Sequence, residues 1–130
     1  MDKIFIPVNI NNTHWCLAVI YVQEKEIRYY DSLSGESGTF VMENLSQFLG
    51  DEMTHRKQIY LDTSSEWTRV LKPPGTPQQT NSVDCGVFTT MYAHFISANQ
   101  PISFTREQID TIRFYLTHKI LMANSEIIEL

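Results

Sequence analysis

The sequence predicts an α+β domain, with an early, mostly antiparallel sheet and helices packed against it. Two observations carry that expectation. The first thirty residues alternate apolar runs with turn clusters, and the second half holds two apolar stripes at helical spacing, each with a legible start. A third concerns size. With 130 residues and 42% hydrophobic content, the chain is long enough for one domain with a real core and too apolar for intrinsic disorder.

The strands come first. Ile4–Ile10 is an apolar run, and Pro7 within it favours an edge or bulged strand, because proline cannot donate to a ladder. Asn11-Asn12-Thr13 is a turn cluster. Cys16–Val22 is continuously apolar, as expected of a strand covered on both faces. A short polar connection leads to a returning strand over Ile27–Tyr30, so the two form a hairpin that ends at Asp31.

Helices follow. Val41, Leu45, Phe48 and Leu49 lie at i, i+4, i+7 and i+8, which predicts an amphipathic helix over Phe40–Leu49, closed by Gly50. Ile59-Tyr60-Leu61 reads as a short strand, Trp67–Leu71 as an extended segment, and Pro73–Pro77 as a stiff loop. Asp84 is placed as the N-cap of the next helix, with Val83 and Phe88 as a hydrophobic staple and Phe88, Met91, Tyr92, Phe95 and Ile96 as its buried face. The last helix opens with the capping-box pattern Thr105-Arg106-Glu107-Gln108, stapled by Phe104 and Ile109. Ile109, Ile112, Leu116 and Ile120 point it inward.

Several function classes fall away. Net charge is −5 and no Lys/Arg run exists, which argues against a phosphate-tracking nucleic-acid site. No apolar stretch approaches membrane-spanning length, so no membrane partner is expected. The N-terminus shows no signal-peptide pattern, so the expected compartment is reducing and intracellular, nucleus and/or cytoplasm. Two cysteines in different contexts do not make a disulfide framework.

The chemistry centres on Cys85. As the first residue of a helix it meets the positive end of the helix dipole, which favours thiolate over thiol. Taken alone, it fits equally a small, inert, buried side chain. His14 stands at the entry of the central strand and could serve as the base that a thiol nucleophile needs. It could also be an ordinary strand-end histidine. Asp31, at the far end of the hairpin, can orient the imidazole, or simply form a turn. Gln79 lies six positions before Cys85 and could donate its amide to an oxyanion, with Gln78 beside it as the solvent-facing control. Trp15 reads as core packing or as a flat wall beside a cleft. A metal site from His14, Cys16 and Asp31 is weak, since no Cys/His pair has a recognised zinc-ligand spacing. No metal and no cofactor are expected.

Taken together, His14-Trp15, Tyr29-Tyr30-Asp31-Ser32-Leu33 and the run Pro77–Gly86 resemble the signature of the ubiquitin-like-protein-specific cysteine proteases. These are the SUMO (sentrin) proteases, related in fold to the adenovirus protease. The order His, Asp, Gln, Cys matches that family and differs from papain, where the cysteine comes first. The resemblance implies that Cys85 is the nucleophile, His14 the general base and acid, Asp31 its orienting partner and Gln79 part of the oxyanion hole. It implies that Trp15 lies over a narrow channel admitting the modifier's C-terminal Gly-Gly, a slot too tight for Cβ atoms. The implied reaction is hydrolysis of the peptide or isopeptide bond after the C-terminal glycine of a ubiquitin-like modifier, SUMO first, with its conjugates as partners. Rival readings are a non-catalytic modifier-binding fragment and a same-fold enzyme acting on ubiquitin or another modifier. Residues 1–130 are expected to form a single catalytic domain lacking the helical segment that family members carry before this first strand. Ser82 stands where many members have glycine.

Overall fold

A computed structural model describes residues 2–33, 35, 37–57 and 67–127. Its elements run β1 (Lys3–Ile10), β2 (His14–Tyr21), β3 (Glu26–Tyr30), α1 (Gly38–Lys57), β4 (Thr68–Leu71), α2 (Cys85–Ser97) and α3 (Ile109–Ile127), with a 3-10 turn at Arg106–Gln108 leading into α3. The expected Ile59–Leu61 strand lies outside the described residues.

The four strands form one sheet in the order β1-β2-β3-β4. β1–β2 and β2–β3 are antiparallel; β4, which returns after α1, is parallel to β3. The sheet is thus mostly antiparallel, as expected. β1 is an edge, which accommodates Pro7 opposite Leu17. Asn11 and Asn12 both take positive φ, 52° and 58°, in the turn between β1 and β2. Asparagine tolerates that region better than most residues.

β2 explains the continuous apolar run. Its residues alternate between two cores. Leu17, Val19 and Tyr21 face Val87, Phe88, Tyr92 and Ile96 of α2, with Phe104 and Ile109 behind them. Cys16, Ala18 and Ile20 face the other way, onto Ile27, Tyr29, Val41, Met42 and Trp67. With helices on both sides, neither face of β2 can carry a polar residue cheaply. The α2 core is aromatic: Phe88 meets Phe104 edge-on at 5.3 Å between ring centroids, and Tyr92 tilts against Tyr30 at 5.8 Å.

Five local expectations need correction. α1 does not stop at Gly50 but runs on to Lys57, since one interior glycine costs only about 1 kcal/mol. Its buried face is Val41, Met42 and Ser46, and Phe48 is exposed. Asp84 stands at the N-cap of α2 but makes no side-chain cap hydrogen bond; its carboxylate accepts from Asn81 Nδ2 and from Arg113 instead. Val83 is 70% exposed, too far in solvent to staple onto the buried Phe88. On α3, Ile109 is buried and Ile112 and Leu116 partly so, whereas Ile120 is exposed.

Candidate active site

The β2–β3 hairpin brings His14 and Asp31 to the same end of the sheet. Pairing of Leu17 with Tyr30 sets the register, so residues just beyond each end of the ladder come together. His14 Nε2 lies 2.7 Å from Asp31 Oδ1. Asp31 is buried and His14 largely so, with side chains 2% and 16% exposed. The same carboxylate oxygen accepts from Leu33 N–H at 2.8 Å, and Asp31 Oδ2 is buried with no hydrogen-bond partner among the described residues. With Nε2 committed to the acid, Nδ1 is the ring nitrogen left for a reacting group.

Cys85 opens α2 and is 6% exposed. The helix is fixed against the His14 end of the sheet one turn later: the Thr89 hydroxyl donates to Trp15 O at 3.1 Å. The unpaired N–H groups of the first turn surround Cys85 with positive partial charge. A Cβ built on the neighbouring Gly86 meets nothing within 4 Å, so the space in front of that backbone is open. Trp15 is 43% exposed, not core. It borders a mainly apolar cavity of about 370 Å³ with Pro7, Leu17, Gly86, Thr89 and Thr90.

Gln79 separates cleanly from Gln78. Gln79 is 7% exposed and is held at three points. Its N–H donates to Ser32 O at 2.9 Å, Oε1 accepts from Ser32 Oγ at 2.5 Å, and Nε2 donates to Asn81 O at 2.5 Å. Gln78 is exposed, yet its Nε2 reaches Asp31 O at 2.8 Å. The proline-rich loop is tied down from below, where the Tyr92 hydroxyl donates to Pro77 O at 2.5 Å.

The second thiol is of a different kind. Cys16 is fully buried. Burial, reinforced by the Asp31 charge and partly offset by a hydrogen bond to Tyr29, pushes its pKa up to about 12. At neutral pH it remains a thiol and a poor nucleophile. Its sulfur, a His14 ring nitrogen and an Asp31 oxygen lie within 4.8 Å of one another, closer than the sequence spacing suggested. The His14–Asp31 contact within this group is at hydrogen-bond length.

The hairpin thus brings His14 to Asp31, the loop of Gln79 is bonded to Ser32 beside Asp31, and α2, with Cys85 at its start, is tied through Thr89 to the carbonyl of Trp15. Three residues with a part in this geometry were missed. Ser32 was visible only as the neighbour of Asp31. Asn81 carried an Asx-turn signal three residues before Asp84: its Oδ1 accepts from Val83 and Asp84 N–H, both at 3.1 Å. Tyr92 read simply as core.

Residues 1–127 match the C-terminal catalytic domain of the Ulp1 protease family. The chain belongs to that family. Among curated relatives, sentrin-specific protease 2 of Pongo abelii is 40% identical over 121 residues, covering 92% of this chain and 20% of the relative. Ubiquitin-like-specific protease 1 of Saccharomyces cerevisiae is 31% identical over 129 residues, covering 93% and 19%. Among solved structures, the SUMO protease Ulp1 with its catalytic cysteine oxidised to a sulfonic acid superposes with a TM-score of 0.78 at 31% identity, covering 95% of this chain and 55% of that one. The Ulp1 protease domain in complex with Smt3, the yeast orthologue of SUMO, gives 0.75 at 31% identity, covering 94% and 53%. The chain thus spans about a fifth of the length of these curated relatives and just over half of the solved domains.

Proposed function

We propose that this chain carries the catalytic centre of a thiol protease that cleaves after the C-terminal glycine of a ubiquitin-like modifier, with SUMO as the preferred modifier, acting inside the cell in nucleus or cytoplasm. One observation carries the reading: His14 and a buried Asp31 pair at 2.7 Å at the end of the sheet to which α2, with Cys85 at its N-terminus, is anchored through Thr89 to Trp15 O. Relatives named as SUMO or sentrin proteases, one of them solved with Smt3 bound, support the substrate class.

Each residue has a part. Nδ1 of His14 takes the Cys85 proton, and the sulfur attacks the carbonyl carbon of the terminal glycine. A C–S bond forms as the carbonyl π pair moves onto oxygen. The Cys85 backbone N–H and Gln79 Nε2 donate to that oxyanion. The imidazolium, held by Asp31, then protonates the departing amine as the C–N bond breaks. Water adds to the resulting thioester with His14 as base, and the Cys85 thiolate leaves. Trp15 and the open face of Gly86 border the slot for the modifier tail, where glycines pass and side chains do not.

The test is release of a fluorophore from the C-terminus of SUMO and, in parallel, of ubiquitin. Turnover of SUMO faster than ubiquitin, lost in Cys85→Ala, is expected. Binding of SUMO without turnover by the folded chain would favour a non-catalytic binding module. Faster turnover of ubiquitin would reassign the substrate.

A further inference from the structure

We propose that Ser32 is a positioning residue for acyl transfer: its hydroxyl holds Oε1 of the Gln79 side-chain amide in place, so that Nε2 faces the developing oxyanion. The inference rests on the protease reading above and adds a residue to it.

The argument starts from the two ends of the amide. Gln79 Oε1 meets the Ser32 hydroxyl, and Nε2 meets the Asn81 carbonyl oxygen, each at 2.5 Å. A carbonyl oxygen can only accept, whereas a hydroxyl can donate. Turning the amide over would set Oε1 against the Asn81 oxygen, two acceptors face to face. The Asn81 carbonyl therefore selects the orientation, and the Ser32 hydroxyl, which can donate or accept, takes the donor role and holds Oε1 in place. Nε2 carries two hydrogens; Asn81 O takes one, leaving the other for a ligand.

Burial makes the selection firm. Ser32 is 1% exposed and Gln79 7% exposed, so water cannot readily replace a lost donor. The backbone adds a second tie, Gln79 N–H to Ser32 O at 2.9 Å. The path continues: Asn81 Oδ1 accepts from Asp84 N–H, and Asn81 Nδ2 donates to the Asp84 carboxylate at 2.6 Å. A chain of hydrogen bonds thus runs from Ser32, next to Asp31, through Gln79 and Asn81 to the residue before Cys85.

Removing the hydroxyl leaves Gln79 Oε1 buried without its donor, and the amide is then held at its Nε2 end only. The consequence falls on steps that form an oxyanion, not on the thiol itself. Alkylation by iodoacetamide displaces iodide at a saturated carbon and forms no oxyanion, so it reports the thiol and the fold alone.

The experiment compares Ser32→Ala, Ser32→Thr and Ser32→Val in kcat and KM for modifier hydrolysis and in the rate of Cys85 alkylation. Thr and Val have the same shape and differ in the hydroxyl, so that pair carries the test if the alanine variant does not fold. Expected is a fall in kcat of about tenfold for Ala and Val, smaller than the ~10²–10³ lost when an oxyanion donor itself is removed. KM and alkylation should stay within about twofold, and Thr should recover most of the loss. On a Gln79→Ala background, Ser32→Ala should add little. If Thr and Val have equal kcat, or alkylation slows in parallel with turnover, Ser32 does not act through the amide and the inference fails. If Gln79→Ala itself leaves kcat unchanged, it is the oxyanion role of Gln79, and the reading beneath the inference, that fails.

Discussion

His14 Nε2 and Asp31 Oδ1 stand 2.7 Å apart, and that same oxygen also accepts from Leu33 N–H at 2.8 Å. One carboxylate oxygen thus does all the hydrogen-bonded orienting, while Oδ2 has no partner among the described residues. An asparagine here can keep its amide oxygen on both donors and place its NH2 where Oδ2 lies. Asp31→Asn should therefore lose the negative charge but keep the imidazole oriented. Its kcat/KM should fall less than that of Asp31→Ala, since cysteine proteases of the Cys-His-Asn type work with an amide at this position. Asp31→Ala removes the orientation as well and should lose about 10⁴-fold. Steady-state kinetics of the two variants check this, and equal losses would count against it.

Gly86→Ala separates fold from substrate access. A Cβ at Gly86 meets no atom within 4 Å, and alanine is the better helix former by about 1 kcal/mol. The melting temperature should hold or rise. Turnover of the modifier should fall through KM, because the methyl group enters the space left for the incoming backbone. A lower melting temperature with unchanged KM would contradict this.

The two thiols should behave differently with pH. Cys16, pushed up to about 12 chiefly by burial, stays protonated in the folded state where a free thiol would ionise. Iodoacetamide at pH 8 should therefore modify Cys85 and spare Cys16, as read by peptide mass. The sign for stability follows. A folded-state pKa above the unfolded one contributes fully below the unfolded value near 9 and is lost as pH rises toward 12. Denaturant midpoints should fall across that window, and less steeply in Cys16→Ala. An equal slope in the variant would remove Cys16 as a cause.

Much of this arrangement was legible in the sequence, and the exceptions have physical causes. The run Cys16–Val22 could be read as a doubly covered strand because two cores demand apolar residues on both faces as far as Tyr21, although Val22 beyond it is exposed. His14, Asp31, Gln79 and Cys85 could be singled out because their order matches a family signature, although each alone fitted a structural role. Periodicity was weaker at the margins of a helix face. Phe48 and Ile120 share the spacing of buried neighbours but are 56% and 63% exposed, since spacing defines a direction and not how far the core extends. Local rules were overridden around Asp84, where Asn81 and Arg113 engage its carboxylate in place of a cap. The tie between Ser32 and Gln79 was not legible, because the two are forty-seven residues apart.

Tyr92 links the core to the loop that carries Gln79. Its hydroxyl donates to Pro77 O at 2.5 Å, and the ring is fully buried. Tyr92→Phe keeps the packing but leaves a carbonyl without this donor. A loss of about 1 kcal/mol in unfolding free energy is expected, with kcat reduced and KM little changed as the loop loosens. Unchanged stability by chemical denaturation would show that the bond contributes nothing.

The most direct measurement is the site of covalent capture by SUMO bearing an electrophile at its C-terminus. The account predicts a single adduct on Cys85, formed more slowly in His14→Ala and absent in Cys85→Ala, with Cys16 unmodified. No adduct on a folded sample, or one that persists in Cys85→Ala, would contradict it.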